Sequence, residues 1–257
     1  MGKVITMINE KGGIGKTSCA FHTAWELAKT KRVLLIDMDG QEADLTFFCG
    51  FPHDNNAVTI SDVLQKGTPI GSAIRNVKEG LDLIPANTMV TTLDPHGAKI
   101  RSFRQAVQSV SGNYDYIFID VNPAPNWNHV LALSVCDACV ILMIPDITSL
   151  QSNLGITESI QEIQETTNNR LKVAGILLNN NEVITNLGKS VRGIAEKNAE
   201  QLGTKVFATK IRHTVKLGES VQFHQGITDY APNEPVAQDF RDFIGELERS
   251  VNDNGEV

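Results

Sequence analysis

Between an apolar run and a helical stretch the chain carries Gly12, Gly13, Ile14, Gly15, Lys16 and Thr17, followed by Ser18. Glycines allow successive backbone N–H groups to turn inward around phosphate oxygens, and the N-terminus of a following helix points its dipole at the same anion. In such a loop Lys16 neutralises the β and γ phosphates while the Thr17 hydroxyl takes a place on Mg²⁺. ATP and Mg²⁺ are therefore the expected ligands. A glycine turn with a solvated lysine is the plainer alternative, but it leaves the coincidence of strand, loop, Lys-Thr and helix unaccounted for. The general template, Gly, four residues, then Gly-Lys-Ser/Thr, has Glu10 at its first position here.

Carboxylates complete the expected chemistry. Asp37 and Asp39 close a second apolar run, Arg32-Val33-Leu34-Leu35-Ile36-Asp37, and acids at the carboxyl end of a strand lie beside the ligand crevice of an open α/β sheet. Two acids one residue apart can hold a metal-bound water and orient an attacking one. Asp120 ends a third run, YIFID, as a Walker B acid does, and would reach Mg²⁺ through water.

These residues need a scaffold that sets them at one edge. Apolar runs at Val4 to Ile8, Arg32 to Asp37, Tyr114 to Asp120, Cys139 to Pro145 and Val173 to Asn179 read as strands buried on both faces. Gly80 to Pro85 and Lys205 to Ala208 are shorter candidates. Helices are expected from Lys16 to Lys29 and from Val236 to Val251, the latter with Val236, Phe240, Phe243, Ile244 and Leu247 at amphipathic spacing. Alternating strands and helices predict right-handed βαβ units: an α/β fold, a mostly parallel twisted sheet with helices on both faces. No repeat or linker divides the 257 residues, so residues 1–257 are expected to form one domain.

KGGIGKT resembles the deviant Walker A box of the ParA/MinD family of P-loop ATPases, and the resemblance spans Lys3 to the final helix. It implies that Lys11, the lysine ahead of the glycines, reaches across a dimer interface to the partner's nucleotide, a role that by analogy with arginine fingers is worth ~10³ to 10⁵ in rate. It further implies that Asp39 positions the nucleophilic water, that Asp37 lies near Mg²⁺, and that Asn179 meets adenine. Relatives read Asp-x-Asp-Pro-Gln where this chain has Asp37-Met38-Asp39-Gly40-Gln41, and Asp-x-Pro-Pro where it has Asp120-Val121-Asn122-Pro123. Gly40 loosens a backbone that proline would fix. Gly155 matches the family's glycine after Pro145.

ParA-like relatives bind nonspecific DNA as ATP dimers and release it after hydrolysis stimulated by a ParB-like or cargo-adaptor protein. From Lys189 to Lys216 the chain has seven basic residues, Lys189, Arg192, Lys197, Lys205, Lys210, Arg212 and Lys216, against Glu196 and Glu200, locally +5 in a protein of net charge −7. Phosphate-backbone binding needs only such a patch. A solvated basic face is the plainer alternative. Against the family's Ile-Pro-Arg-Asn-Val-Arg-Leu this chain has Ile211-Arg212-His213-Thr214-Val215-Lys216-Leu217, so Lys216 aligns with a DNA-contacting arginine while Arg212 and His213 depart. The resemblance thus implies an ATP-dependent homodimer on nonspecific DNA, positioning plasmid, chromosome or other cargo.

Other classes fit less well. A net charge of −7 argues against a surface devoted to nucleic acid. No run approaches the ~18 apolar residues of a membrane span, and the N-terminus leads into a strand rather than a signal peptide, so a cytoplasmic, nucleoid-associated protein of a bacterium or archaeon is expected. The C-terminal residues 250–257 are acidic and polar, unlike the basic amphipathic tail of a MinD-type membrane binder. Cys136-Asp137-Ala138-Cys139 has CxxC spacing, which keeps a metal-handling P-loop enzyme as an alternative, although no second pair completes four thiolates. Three tyrosines in all argue against a tyrosine kinase on the same scaffold.

Overall fold

A computed structural model of the chain describes residues 1–40, 44–52, 54, 56–92, 97–122, 127–146, 149–180 and 186–252; side chains of residues 44, 91–92, 97–98, 149–154 and 186–190 are likewise outside the description. The strands are β1 (Lys3–Ile8), β2 (Val33–Met38), β3 (Arg75–Lys78), β4 (Leu81–Ile84), β5 (Tyr116–Val121), β6 (Ala138–Met143), β7 (Lys172–Leu178) and β8 (Val206–Lys210). The helices are α1 (Lys16–Leu27), α2 (Asp44–Phe48), α3 (Ile60–Lys66), α4 (Gly97–Ser111), α5 (Trp127–Val135), α6 (Ser149–Thr166), α7 (Asn186–Gln201), α8 (Val215–Gln222), α9 (Ile227–Tyr230) and α10 (Pro235–Asn252).

One eight-stranded sheet runs in the order β3-β4-β2-β5-β1-β6-β7-β8. Every pairing is parallel except β3 with β4. The central strands are apolar at nearly every position because both faces are covered. Ile5 and Met7 of β1 join the core beneath α1 and α10, whereas Val4 and Ile8 join the core beneath α4 to α6. Each fully buried aliphatic side chain contributes ~1.5–3 kcal/mol relative to exposure. That burial fixes register: a one-residue slip would exchange the two cores.

The mostly parallel sheet with helices on both faces agrees with the expected architecture, and the differences are local. α1 stops at Leu27 rather than Lys29, because Lys29 N and Thr30 N fall back on the carbonyls of Glu26 and Leu27 in a tighter turn. β3 was not expected at all. Its sequence Arg-Asn-Val-Lys has no apolar run, since an antiparallel edge strand buries little of itself. At the opposite edge, Glu246 of α10 accepts from Ala208 N and Thr209 N of β8, both at 2.8 Å.

Candidate active site

β1 delivers the glycine loop to the middle of the sheet's carboxyl edge, between β5 and β6. Gly15 is the N-cap of α1 at φ 86°, with no side-chain cap, so the first-turn N–H groups keep no side-chain partner from the capping position. Glycine is required there on two counts. Its φ lies in the left-handed region, and a Cβ would stand 2.5 Å from Asn179 Nδ2.

Two asparagines brace this loop. Asn179, just past β7, donates from Nδ2 to the Ile14 carbonyl at 2.6 Å. Asn9, just past β1, donates to the Leu142 carbonyl at 2.7 Å and accepts from Lys11 N at 2.8 Å. The immediate task of Asn179 is therefore to hold the loop, a part beyond both the base contact that the resemblance implies and the plainer reading of a polar strand end. Asn9 was missed; an amide closing an apolar strand directly before a glycine loop was the available signal.

Lys16 is buried and donates from Nζ to the Lys11 carbonyl at 3.1 Å. Burial pulls its pKa down to about 8, against the opposing pull of Asp120 and Asp39. Asp120 is fully buried, and neither carboxylate oxygen has a hydrogen-bond partner among the described residues. Burial first, then the charge of Asp37, hold its carboxyl well above the carboxylate range, while Thr17 and Lys16 favour the charged form. An orphaned carboxylate beside a hydroxyl and a second acid is a set of hard oxygen donors, which suits Mg²⁺. No cluster of three or more His, Cys, Asp or Glu ligands stands among the described residues. A cation held here would take one or two protein oxygens and complete its shell with water and phosphate, as Mg²⁺ does.

Asp37 plays a different part from a bare metal ligand. Oδ1 accepts from Asp39 N at 2.9 Å, and Oδ2 accepts from Thr46 N at 3.0 Å and Thr46 Oγ1 at 2.6 Å. Burial outweighs those donors and brings its pKa up to about 7. Thr46 Oγ1 in turn accepts from Ala86 N at 3.2 Å, tying α2 to the end of β4. Asp37 thus sets the turn that presents Asp39, which lies buried at the site's edge. Gln41 and Pro123, which entered the sequence comparison, lie outside the described residues.

Lys11, expected to act in trans, forms an ion pair with Asp146 just beyond β6. Behind Asp120, His129 Nε2 donates to the Asn122 carbonyl at 2.6 Å, and burial draws the imidazole pKa down to about 4, so it is neutral at physiological pH. Asn128 Nδ2 donates to the Met38 carbonyl at 3.1 Å, joining α5 to the end of β2. Gly155 matters by proximity: a Cβ there would lie 2.8 Å from Glu10 Oε2.

The basic patch is less free than its sequence suggests. Arg212 makes a two-pronged pair with Asp239, Nε and Nη2 each at 2.7 Å. Lys216 pairs with Glu219 at 2.7 Å and Arg192 with Glu196 at 2.9 Å. The Lys189 side chain lies outside the description. All four cysteines are buried, with burial pushing Cys19 and Cys139 up to about 12 and Cys49 and Cys136 well above the thiol range.

A parallel sheet with a glycine loop, a buried lysine and strand-end acids at its carboxyl edge defines a P-loop NTPase. A family model described as an AAA domain matches residues 2–173. The sporulation initiation inhibitor protein Soj of Bacillus subtilis is 30% identical over 253 residues, covering 96% of this chain and 98% of that protein. The chromosome-partitioning ATPase Soj of Thermus thermophilus is 29% identical, covering 97% and 96%. Apo McdA of Cyanothece shares the fold with a TM-score of 0.87 at 18% identity, covering 96% of this chain and 100% of that one. The chain belongs to the ParA/MinD family of P-loop ATPases, on its ParA, Soj-like branch.

Proposed function

We propose that the chain is a Mg²⁺-dependent ATPase switch that closes as a dimer around ATP, holds nonspecific DNA, and releases it when a ParB-like or cargo-adaptor partner drives hydrolysis. Its place is the nucleoid of a bacterial or archaeal cytoplasm, where it positions plasmid, chromosome or other cargo. The observation that carries this reading is the fully buried carboxyl of Asp120, whose charged form only Thr17 and Lys16 favour, at the N-terminus of α1. Ionising a carboxyl so placed is costly without a cation to meet it. The relatives named as partitioning proteins support the cellular role.

In this mechanism the backbone N–H groups of Gly12, Gly13, Ile14, Gly15, Thr17 and Ser18 cradle the phosphates and Lys16 neutralises them. Thr17 and Asp120 hold Mg²⁺, with Asp37 ordering the turn beside them. When bound, Mg²⁺ offsets charge on the phosphate oxygens. Asp39 orients the attacking water. Lys11 of one copy leaves Asp146 for the partner's nucleotide, which makes unstimulated turnover slow. Asn179 meets adenine at the expense of the Ile14 carbonyl, coupling base binding to loop shape. Lys189, Arg192, Arg212 and Lys216 border the DNA surface, with Arg212 serving chiefly to pin Asp239.

No described helix is long and apolar enough to cross a membrane, and no described cysteine pair stands open to metal. Light scattering with Mg²⁺ and ATP, ADP or neither tests the switch, with DNA affinity measured against salt alongside. A dimer with ATP alone, and DNA binding that falls steeply with salt in that state, are expected. A monomer under ATP, or a flat salt response, overturns the reading.

A further inference from the structure

A groove of about 380 Å³ opens between α4, α5 and α6, beside Glu10. None of the glycines, Lys16, Thr17, Asp37, Asp39 or Asp120 lines it, so it is separate from the phosphate site. Its floor is apolar, formed in part by Ile100, Leu133 and Ile156, while Glu10 and Glu162 stand in its wall. No lysine or arginine lines it among the described residues. α6 adds Glu158 and Glu165 with no basic residue along its length, and α5 is uncharged. On the third side, α4 carries the exposed Arg101, while Lys99 is committed to the Leu64 carbonyl and Arg104 to the carbonyls of Ser134 and Thr167.

Two further observations point to an occupant. Trp127 lines the groove, and its indole N–H is buried without an acceptor among the described residues, a costly state that a small turn of the ring toward an incoming carbonyl relieves. Glu10 is partly desolvated, which holds its carboxyl above the usual range, and a cation beside it would favour the charged form. An aliphatic floor, an acidic wall and an unpaired donor together describe the complement of a short stretch of protein with a basic residue next to an aliphatic one.

We propose that this groove docks such a segment of a partner protein. The lysine or arginine meets Glu10 and Glu162, the aliphatic side chain fills the floor, and a backbone carbonyl accepts from Trp127 Nε1. Glu10 directly precedes Lys11 and packs on Gly155 of α6, so occupancy acts on the base of the phosphate loop. Equating the segment with the hydrolysis-stimulating partner rests on the proposed function; docking itself does not.

The full chain without nucleotide is titrated with the synthetic peptide Gly-Leu-Arg-Leu-Lys-Gly, following the two indole N–H signals by NMR, with Trp127→Phe to assign them. The Trp127 signal moves downfield saturably, while that of Trp25, already bonded to Asp229, stays. A peptide with glutamates for its basic residues has no effect, and Glu10→Gln with Glu162→Gln weakens binding about tenfold. The exposed single change Glu162→Lys gives the same direction without touching the loop. No saturable shift, or an equal shift with the acidic peptide, overturns the docking site. A Trp127 shift that tracks protein concentration without peptide assigns the groove to a second copy and also overturns it. With ATP and Mg²⁺, peptide raises turnover severalfold in the native chain but not in Glu162→Lys, whose rate without peptide is unchanged. Unaltered turnover at peptide saturation removes the link to stimulation. Absence of turnover under every condition strikes the ATPase reading, and the indole shift still decides the groove.

Discussion

The Lys11 ammonium is paired in cis with the Asp146 carboxylate, on the loop that follows β6. A lysine required by a second subunit must leave that carboxylate first. Asp146→Asn is therefore expected to increase ATP-dependent self-association severalfold, and Lys11→Ala to abolish it while nucleotide still binds. Sedimentation with ATP checks both. Dimerisation of Lys11→Ala at the native level would show that the lysine does not act across an interface.

Lys16 sets a pH dependence. Burial lowers its pKa from 10.5 to about 8, so the folded protein without nucleotide releases this proton earlier than the unfolded chain. The unfolded chain binds more protons between about 8 and 10.5, and this residue's contribution to stability therefore rises with pH across that window. Phosphate binding needs the charged ammonium, so nucleotide affinity is expected to decline above pH 8, by up to about tenfold per unit. Calorimetric titration at several pH values measures it, and affinity level to pH 9.5 would contradict it. Lys16→Ala should lose most affinity at every pH.

Asp120 should behave as a stability defect held for function. Its folded pKa is raised, so the native state binds the extra proton and its penalty grows as pH rises from the ordinary carboxylate value. At pH 7 Asp120→Asn is expected to raise the melting temperature of the nucleotide-free protein by a few degrees and to erase the further rise given by ATP with Mg²⁺. A lower melting temperature without ligand would mean the carboxylate is satisfied.

Asn179→Ala removes the donor to the Ile14 carbonyl and should cost about 1 kcal/mol in urea unfolding. If Asn179 also meets the base, the variant loses preference for ATP over GTP. A purely structural brace predicts the stability loss with that preference intact.

Arg212 and Lys216 should separate in DNA binding. Arg212→Ala breaks the two-pronged contact with Asp239 and is expected to lower the melting temperature with little change in the salt dependence of DNA affinity. Lys216→Ala should reduce that salt slope by about one unit. The reverse pattern would reassign the two residues.

The strands around the loop were legible because a strand buried on both faces must be apolar throughout, and Val33–Met38 and Tyr116–Val121 are. The phosphate loop was legible because its geometry admits few residue types. β3 was not, since an edge strand with solvent beside it can be as polar as Arg-Asn-Val-Lys. The pairing of Thr46 with Asp37, across a nine-residue turn, and of Arg212 with Asp239, 27 residues away, was also hidden, because composition does not say which side chains a turn or a helix brings together. The local excess of +5 overstated the free charge for that reason, because Asp239 and Glu219 come from outside the segment that was counted.

Glu246 gives the sheet an end. With the N–H groups of Ala208 and Thr209 already taken by a carboxylate from its own chain, β8 offers a poor template to a strand from another molecule. Between neighbouring copies this favours reversible contact through side chains over fusion of sheets. Under the proposed function, which asks the chain to gather densely and then disperse, that edge is guarded against setting into a fibre.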